Sequence, residues 1–299
     1  LNKMNMFKGV GVALVTPFQS NGQVDFTALQ RLVEHQINNG TDYLVVQGTT
    51  GESATLSSDE KKAVLDFIIE INAKRLPIVL GIGGNNTGAV LEAIKSTDLK
   101  DVDGILSVSP YYNKPSQEGI YLHYKTISAA TSKPIILYNV PGRTMSNVLA
   151  QTTLRIARDC KNIVAVKEAS GNLEQVMEII KNKPEGFVVL SGDDALTLPH
   201  MAIGGDGVIS VVANAFPKRF STLVHAAMEN KIDLAREKHY ELIEVIQQLF
   251  ADGNPGGVKH VLKLLNICDD NLRLPLVPVS KDVADKLYTL TAKIGEKVV

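Results

Sequence analysis

Ile163-Val164-Ala165-Val166 runs directly into Lys167-Glu168-Ala169-Ser170-Gly171, so a lysine ends a segment that is otherwise aliphatic. An ammonium group carried out of water loses hydration free energy. Its pKa then falls, and a neutral, nucleophilic amine becomes available to attack a carbonyl. That chemistry is Schiff-base formation. Read alone, Lys167 also suits a side chain that snorkels outward or pairs with Glu168.

Three further windows carry groups that would serve such an amine. Leu137-Tyr138-Asn139-Val140-Pro141-Gly142-Arg143-Thr144 offers a phenol at the end of an apolar run and a guanidinium a few residues beyond. A tyrosine hydroxyl can shuttle protons to and from a carbinolamine, and arginine presents a planar fork to a carboxylate. Taken singly, Tyr138 equally suits a core ring and Arg143 a solvated loop charge. Gly48-Thr49-Thr50-Gly51-Glu52-Ser53 exposes backbone N–H groups beside two adjacent threonine hydroxyls, a cradle for a carboxylate or phosphate, and by composition also an ordinary Gly-rich turn before a helix. Ser109-Pro110-Tyr111-Tyr112-Asn113-Lys114-Pro115 sets adjacent tyrosines on a proline-bounded loop, where one ring could face a partner chain; plain interface packing also favours such pairs.

Other features carry less. Gly81-Ile82-Gly83-Gly84-Asn85-Asn86 fails the dinucleotide fingerprint because Asn86 stands where its last glycine belongs. Asp193-Asp194 closely follows an apolar run, so it reads as a helix cap or loop anchor before it reads as a metal site. His35, His123, His200, His225, His239 and His260 show no metal-ligand spacing. No metal and no cofactor are expected.

These windows need a scaffold that brings them together. Apolar or β-branched runs recur about every 20 to 35 residues, each followed by Gly, Ser, Thr or Asn and then a helical pattern. The runs are Gly11 to Val15, Tyr43 to Gln47, Ile78 to Gly81, Gly104 to Val108, Ile135 to Tyr138, Ile163 to Val166, Phe187 to Leu190 and Gly207 to Val211. Between them, Leu29, Leu32, Val33 and Ile37 fall on one helical face with Gly40 as a stop, and Ser57 with Glu60 has capping-box spacing. Runs such as YLVVQ and PIILYN are continuously apolar rather than alternating, as parallel strands covered on both faces require. Eight such units predict an α/β fold, a (β/α)8 TIM barrel, over residues 1–230, with a small helical segment over 231–299. In that fold the reacting groups sit at the C-terminal ends of the strands, which is where all four windows fall.

Composition narrows the partners. The 31 basic and 32 acidic side chains leave a net charge of -1, which argues against nucleic acid and anionic membrane surfaces. Cys160 and Cys268 are the only cysteines and show no CxxC spacing, which suits a reducing compartment. No apolar run reaches the length of a membrane span, and the first ten residues lack the core of a signal peptide, so a cytoplasmic protein is expected. Leu1 to Asn5 are read as a frayed end or a cloning remnant and carry no weight.

With GTTGES, SPYYNKPSQEG, YNVPGRT, KEASGN and SGDD in this order, the chain resembles the dihydrodipicolinate synthase family, a class I aldolase-like group that includes N-acetylneuraminate lyase. The similarity spans nearly the whole length. It implies condensation of pyruvate with L-aspartate 4-semialdehyde to 4-hydroxy-tetrahydrodipicolinate, the first committed step toward diaminopimelate and lysine. By that resemblance Lys167 forms the imine; Thr49, Tyr138 and Tyr112 are the proton relay, with Tyr112 supplied by a neighbouring subunit. Thr50 holds the pyruvate carboxylate, Arg143 that of the semialdehyde, and Gly192 and Ile209 line the pocket. The family is commonly a homotetramer, a dimer of dimers. Where lysine-inhibited members carry histidine and glutamate, this chain has Ser58, Lys61 and Ala89, which argues against feedback inhibition, although Ser53, Asn85 and Tyr111 match that effector site. The alternatives are a pyruvate-dependent sugar-acid aldolase of the same family, or a non-catalytic barrel that binds a keto acid.

Overall fold

A computed structural model describes residues 6–295; Leu1 to Asn5, read above as a frayed end, lie outside the described residues. Eight strands close a barrel in sequence order: β1 Gly9–Ala13, β2 Tyr43–Val46, β3 Ile78–Gly81, β4 Gly104–Val108, β5 Ile135–Asn139, β6 Ile163–Glu168, β7 Val188–Ser191 and β8 Gly207–Ser210. All neighbours are parallel, and β1 pairs with both β2 and β8. The (β/α)8 expectation holds, with shifted strand limits. β1 starts at Gly9 rather than Gly11, and β6 continues through Lys167 and Glu168, so the lysine belongs to the strand and not to the turn after it.

The alternation of side chains across each strand sorts the apolar residues into two cores. Val45, Val79, Leu106, Ile136, Ala165, Leu190 and Ile209 fill the barrel interior, while Leu44, Leu80, Ile135, Leu137, Val166 and Val189 pack outward against the helices. Phe7 closes the lower end in edge contact with Tyr43, ring centroids 5.8 Å apart. Gly104 admits that plug, since a Cβ there would come within 2.6 Å of the Phe7 ring. Carboxylates anchor three strand starts: Asp42 accepts from Val10 N at 2.7 Å, Asp103 from Ile78 N at 2.8 Å and Asp206 from Val189 N at 3.0 Å. Each satisfies a donor that the neighbouring strand leaves unpaired.

The helices form as their caps dictate. Asp25 caps Phe26–Ile37, which buries Leu29, Leu32 and Val33 against the barrel, and Ser57 with Glu60 closes both halves of the capping box on Ser58–Asn72. After β8, Pro217–Met228 completes the outer ring, and Ile232–Leu249, Gly256–Leu264 and Lys281–Lys293 form the C-terminal segment. No helix among the described residues is long and apolar enough to cross a membrane.

Candidate active site

Strand register brings the two central groups together. Tyr138 on β5 lies opposite Lys167 on β6, which lies opposite Leu190 on β7, all three pointing into the barrel. Lys167 is 6 % exposed, and its Nζ stands 4.2 Å from the centroid of the Tyr138 ring. Among the described residues no carboxylate pairs with that nitrogen. Glu168 cannot do so, because the pleat turns it to the other face. Its carboxylate accepts from Asn139 Nδ2 at 3.0 Å, Ser170 N at 3.0 Å and Gln175 Nε2 at 2.8 Å. Burial pushes the Glu168 carboxyl above the usual carboxylate range, against the pull of those amides.

Gly192, directly after β7, makes room for the lysine chain. A Cβ at this position would lie 3.1 Å from Lys167 Cε, 3.2 Å from its Cγ and 2.6 Å from Ala169 Cβ. The Gly192 N–H donates to Glu168 O at 2.8 Å, so the loop after β7 rests on the end of β6. Ile209 sits in the interior core, with its strand paired to Gly11. Asp193 and Asp194 act as loop anchors, as their position suggested. Asp193 Oδ1 accepts from Ala195 N, and Asp194 Oδ2 accepts from Val211 N at 3.0 Å and Val212 N at 2.7 Å. Burial raises the Asp194 carboxyl to about 6.

The Gly48–Ser53 window forms the turn after β2. Its two threonines diverge: Thr49 is exposed and Thr50 buried. Thr49 and Tyr138 share a cavity of about 650 Å³, also lined by Gln47, Leu80, Leu106 and Val108, that runs outward to Asp66 and Asp98. Lys167 does not line it and lies across the Tyr138 ring instead. Ser53, Ser58 and Lys61 line the outer end of the same cavity. Asn85, Tyr111 and Ala89 do not. Asn85 Nδ2 instead donates to Tyr111 O at 2.9 Å, and Asn113 Nδ2 donates to Asn85 O at 3.0 Å, which ties the tyrosine loop to the turn after β3.

Arg143 belongs to a short helix, Pro141–Thr144, rather than to an open loop, and its side chain is exposed. Tyr112 is 87 % exposed and holds a left-handed backbone, φ 73°, fixed by its N–H on Thr144 O at 3.3 Å. A bulky residue in that region marks local strain held by its surroundings. Within this single chain the Tyr112 ring turns to solvent, away from the cavity.

Sequence reasoning missed the groups behind the Gly48–Ser53 turn. Thr50 Oγ1 accepts from Asn254 Nδ2 at 2.9 Å. Lys259 and Glu52, both fully buried, form an ion pair at 2.5 Å, and Lys259 Nζ also donates to Asn271 O at 2.8 Å. In sequence Asn254 looks like a turn residue and Lys259 like an ordinary helix cation, so neither gave a signal. Among the described residues no group of three or more His, Cys, Asp or Glu could hold a metal ion.

Residues 6–294 match a model of the dihydrodipicolinate synthetase family. The 4-hydroxy-tetrahydrodipicolinate synthase of Flavobacterium psychrophilum is 50 % identical over 293 residues, covering 98 % of this chain and 100 % of the relative. The crystal structure of dihydrodipicolinate synthase from Aquifex aeolicus superposes with a TM-score of 0.94 at 42 % identity, covering 98 % of this chain and 99 % of that one. The chloride-inhibited dihydrodipicolinate synthase from Acinetobacter baumannii, solved complexed with pyruvate, superposes with a TM-score of 0.93 at 38 % identity, covering 96 % and 99 %.

Proposed function

The chain belongs to the dihydrodipicolinate synthetase family, and from that premise we propose that it condenses pyruvate with L-aspartate 4-semialdehyde through an imine on Lys167. The observation that carries this reading is the buried Lys167 amine, free of any carboxylate among the described residues, against the face of Tyr138 at the barrel mouth. The amine adds to the pyruvate ketone to give a carbinolamine, which loses water to become the imine. Loss of a methyl proton gives an enamine, whose carbon attacks the aldehyde. The amine of the second substrate then displaces Lys167 from the imine carbon, closing the ring and regenerating the catalyst. One water is released per turnover, and no oxidant or metal is consumed.

Thr50, with its hydroxyl beside the Gly48–Ser53 backbone, takes the pyruvate carboxylate, and Arg143 takes that of the semialdehyde. Gly192 and Ile209 bound the space in which the new bond forms. Tyr138 moves protons at the carbinolamine, with Thr49 across the shared cavity. Tyr112 completes the relay in a second copy of the chain: its exposure and constrained backbone suit a ring presented outward, so a dimer is the smallest active unit and a homotetramer the assembly. The reaction runs in the cytoplasm, a setting that the two buried, unpaired cysteines suit.

Borohydride reduction in the presence of pyruvate tests the reading. A stable adduct is expected on Lys167, together with turnover of aspartate semialdehyde. A folded protein that gives no adduct there would refute the imine mechanism, and turnover of a sugar-acid aldehyde in place of the semialdehyde would move the chain to the aldolase alternative.

A further inference from the structure

The hydrogen bond from Asn254 to Thr50 crosses from the C-terminal segment into the strand-end turn, and we propose that Asn254 is a positioning residue for pyruvate, acting through the Thr50 hydroxyl. The inference rests on the reading that Thr50 binds the keto-acid carboxylate.

A threonine hydroxyl has one proton to give and two lone pairs to receive with. Asn254 Nδ2, 2.9 Å from Thr50 Oγ1, occupies a lone pair. The proton is then left to donate, and the group it serves must be an acceptor. An anion in the adjacent turn is such an acceptor, so the amide selects the rotamer in which Thr50 points its proton at a carboxylate. Asn254 Oδ1 is itself buried without a partner, so the amide is held here at the expense of one unsatisfied acceptor.

The surrounding contacts keep the two elements from separating. Lys259, one turn into the helix that follows Asn254, is locked to Glu52, two residues after Thr50, by the fully buried ion pair. Arg273 N donates to Glu52 Oε2 at 3.2 Å, and the Arg273 guanidinium grips Glu60 and Thr55 O. From the other side Thr16 Oγ1 donates to Gly51 O at 2.7 Å. Glu52 holds a left-handed backbone, φ 52°, within this frame. The turn is thus fixed on both sides, and only the hydroxyl rotor of Thr50 remains to be set. Asn254 sets it.

Borohydride trapping across a range of pyruvate concentrations tests this in the wild type, Asn254→Ala, Asn254→Asp, Thr50→Val and the Thr50→Val/Asn254→Ala double variant. Asn254→Ala should raise the pyruvate concentration for half-maximal trapping, and the KM for pyruvate, by about 3- to 10-fold, with kcat at saturation nearly unchanged. Asn254→Asp, nearly the same shape, should raise them further, because its carboxylate draws the Thr50 proton away and repels the substrate. In the Thr50→Val background the Asn254→Ala change should add nothing. Should Asn254→Ala fail to fold, the isosteric Asn254→Asp comparison decides the matter alone. Unchanged half-saturation in the variants, or losses that add in the double variant, would overturn the role of Asn254. Absence of an adduct in the wild type would instead sink the imine reading itself.

Discussion

Tyr138 and Lys167 are register partners across β5 and β6 because β6 carries an extra residue. Ile135 pairs with Ile163, but Ile136 pairs with Ala165, so Val164 is passed over. Without that bulge Tyr138 would stand opposite Val166, whose side chain packs outward against the helices. Bulges re-aim side chains next to active sites, and this one turns the lysine inward beside the phenol.

Tyr138→Phe keeps the ring under the Lys167 amine and removes only the hydroxyl. The imine should still be trapped by borohydride but form more slowly, while kcat falls by about 100- to 10,000-fold, as loss of a general acid–base group requires. A turnover rate within a few-fold of wild type would remove Tyr138 from the relay.

Gly192→Ala should disable the lysine without replacing it. The added methyl meets Lys167 Cε at 3.1 Å and Ala169 Cβ at 2.6 Å, and the strand ends on both sides restrict the room to yield. Overpacking of this kind costs about 1 to 3 kcal/mol. Chemical unfolding should show that loss, and borohydride trapping should slow at saturating pyruvate. Normal trapping with normal stability would mean that the lysine chain has another path to the mouth.

The barrel and the residues gathered at its mouth were legible because each signal is local. Continuous apolar runs mark parallel strands, and Lys167, Tyr138 and Thr49 lie at or just beyond the ends of such runs. The bulge was not legible, since Ile163 to Val166 are uniformly aliphatic and any register would bury them. Nor was the support behind the Gly48–Ser53 turn. Asn254 and Thr50 are 204 residues apart, and Lys259 and Glu52 are 207 apart, so only closure of the fold creates those pairs. The exposure of Thr49 and the burial of Thr50 were equally invisible in two identical neighbours.

Lys259→Met should destabilise the chain by about 3 to 5 kcal/mol, because it leaves the Glu52 carboxylate buried and unpaired. Burial holds the Lys259 amine below its ordinary pKa even against the attraction of Glu52. Adding Glu52→Gln should recover part of the loss, since a neutral amide no longer demands a cation. Urea unfolding of both variants checks this; a double variant less stable than Lys259→Met would show that the pair is not coupled in this way.

Asp194 should give the fold a measurable pH dependence in mild acid. Burial lifts its carboxyl to about 6 in the folded chain, against an ordinary 3.8. Below the lower value the group is protonated in both states and contributes no difference. Between the two values the folded chain keeps a proton that the unfolded chain has released, so the folded state loses stability as pH rises through this window. A shift of this size corresponds to about 3 kcal/mol between pH 4 and pH 7. Asp194→Asn retains an oxygen to accept from Val211 N and Val212 N and removes the titration. The variant should therefore gain on the wild type steadily as pH increases from 4 to 7 in urea unfolding experiments. Parallel stability curves for the two proteins across that range would show that the carboxylate stays ionised throughout and that the backbone N–H groups outweigh its burial.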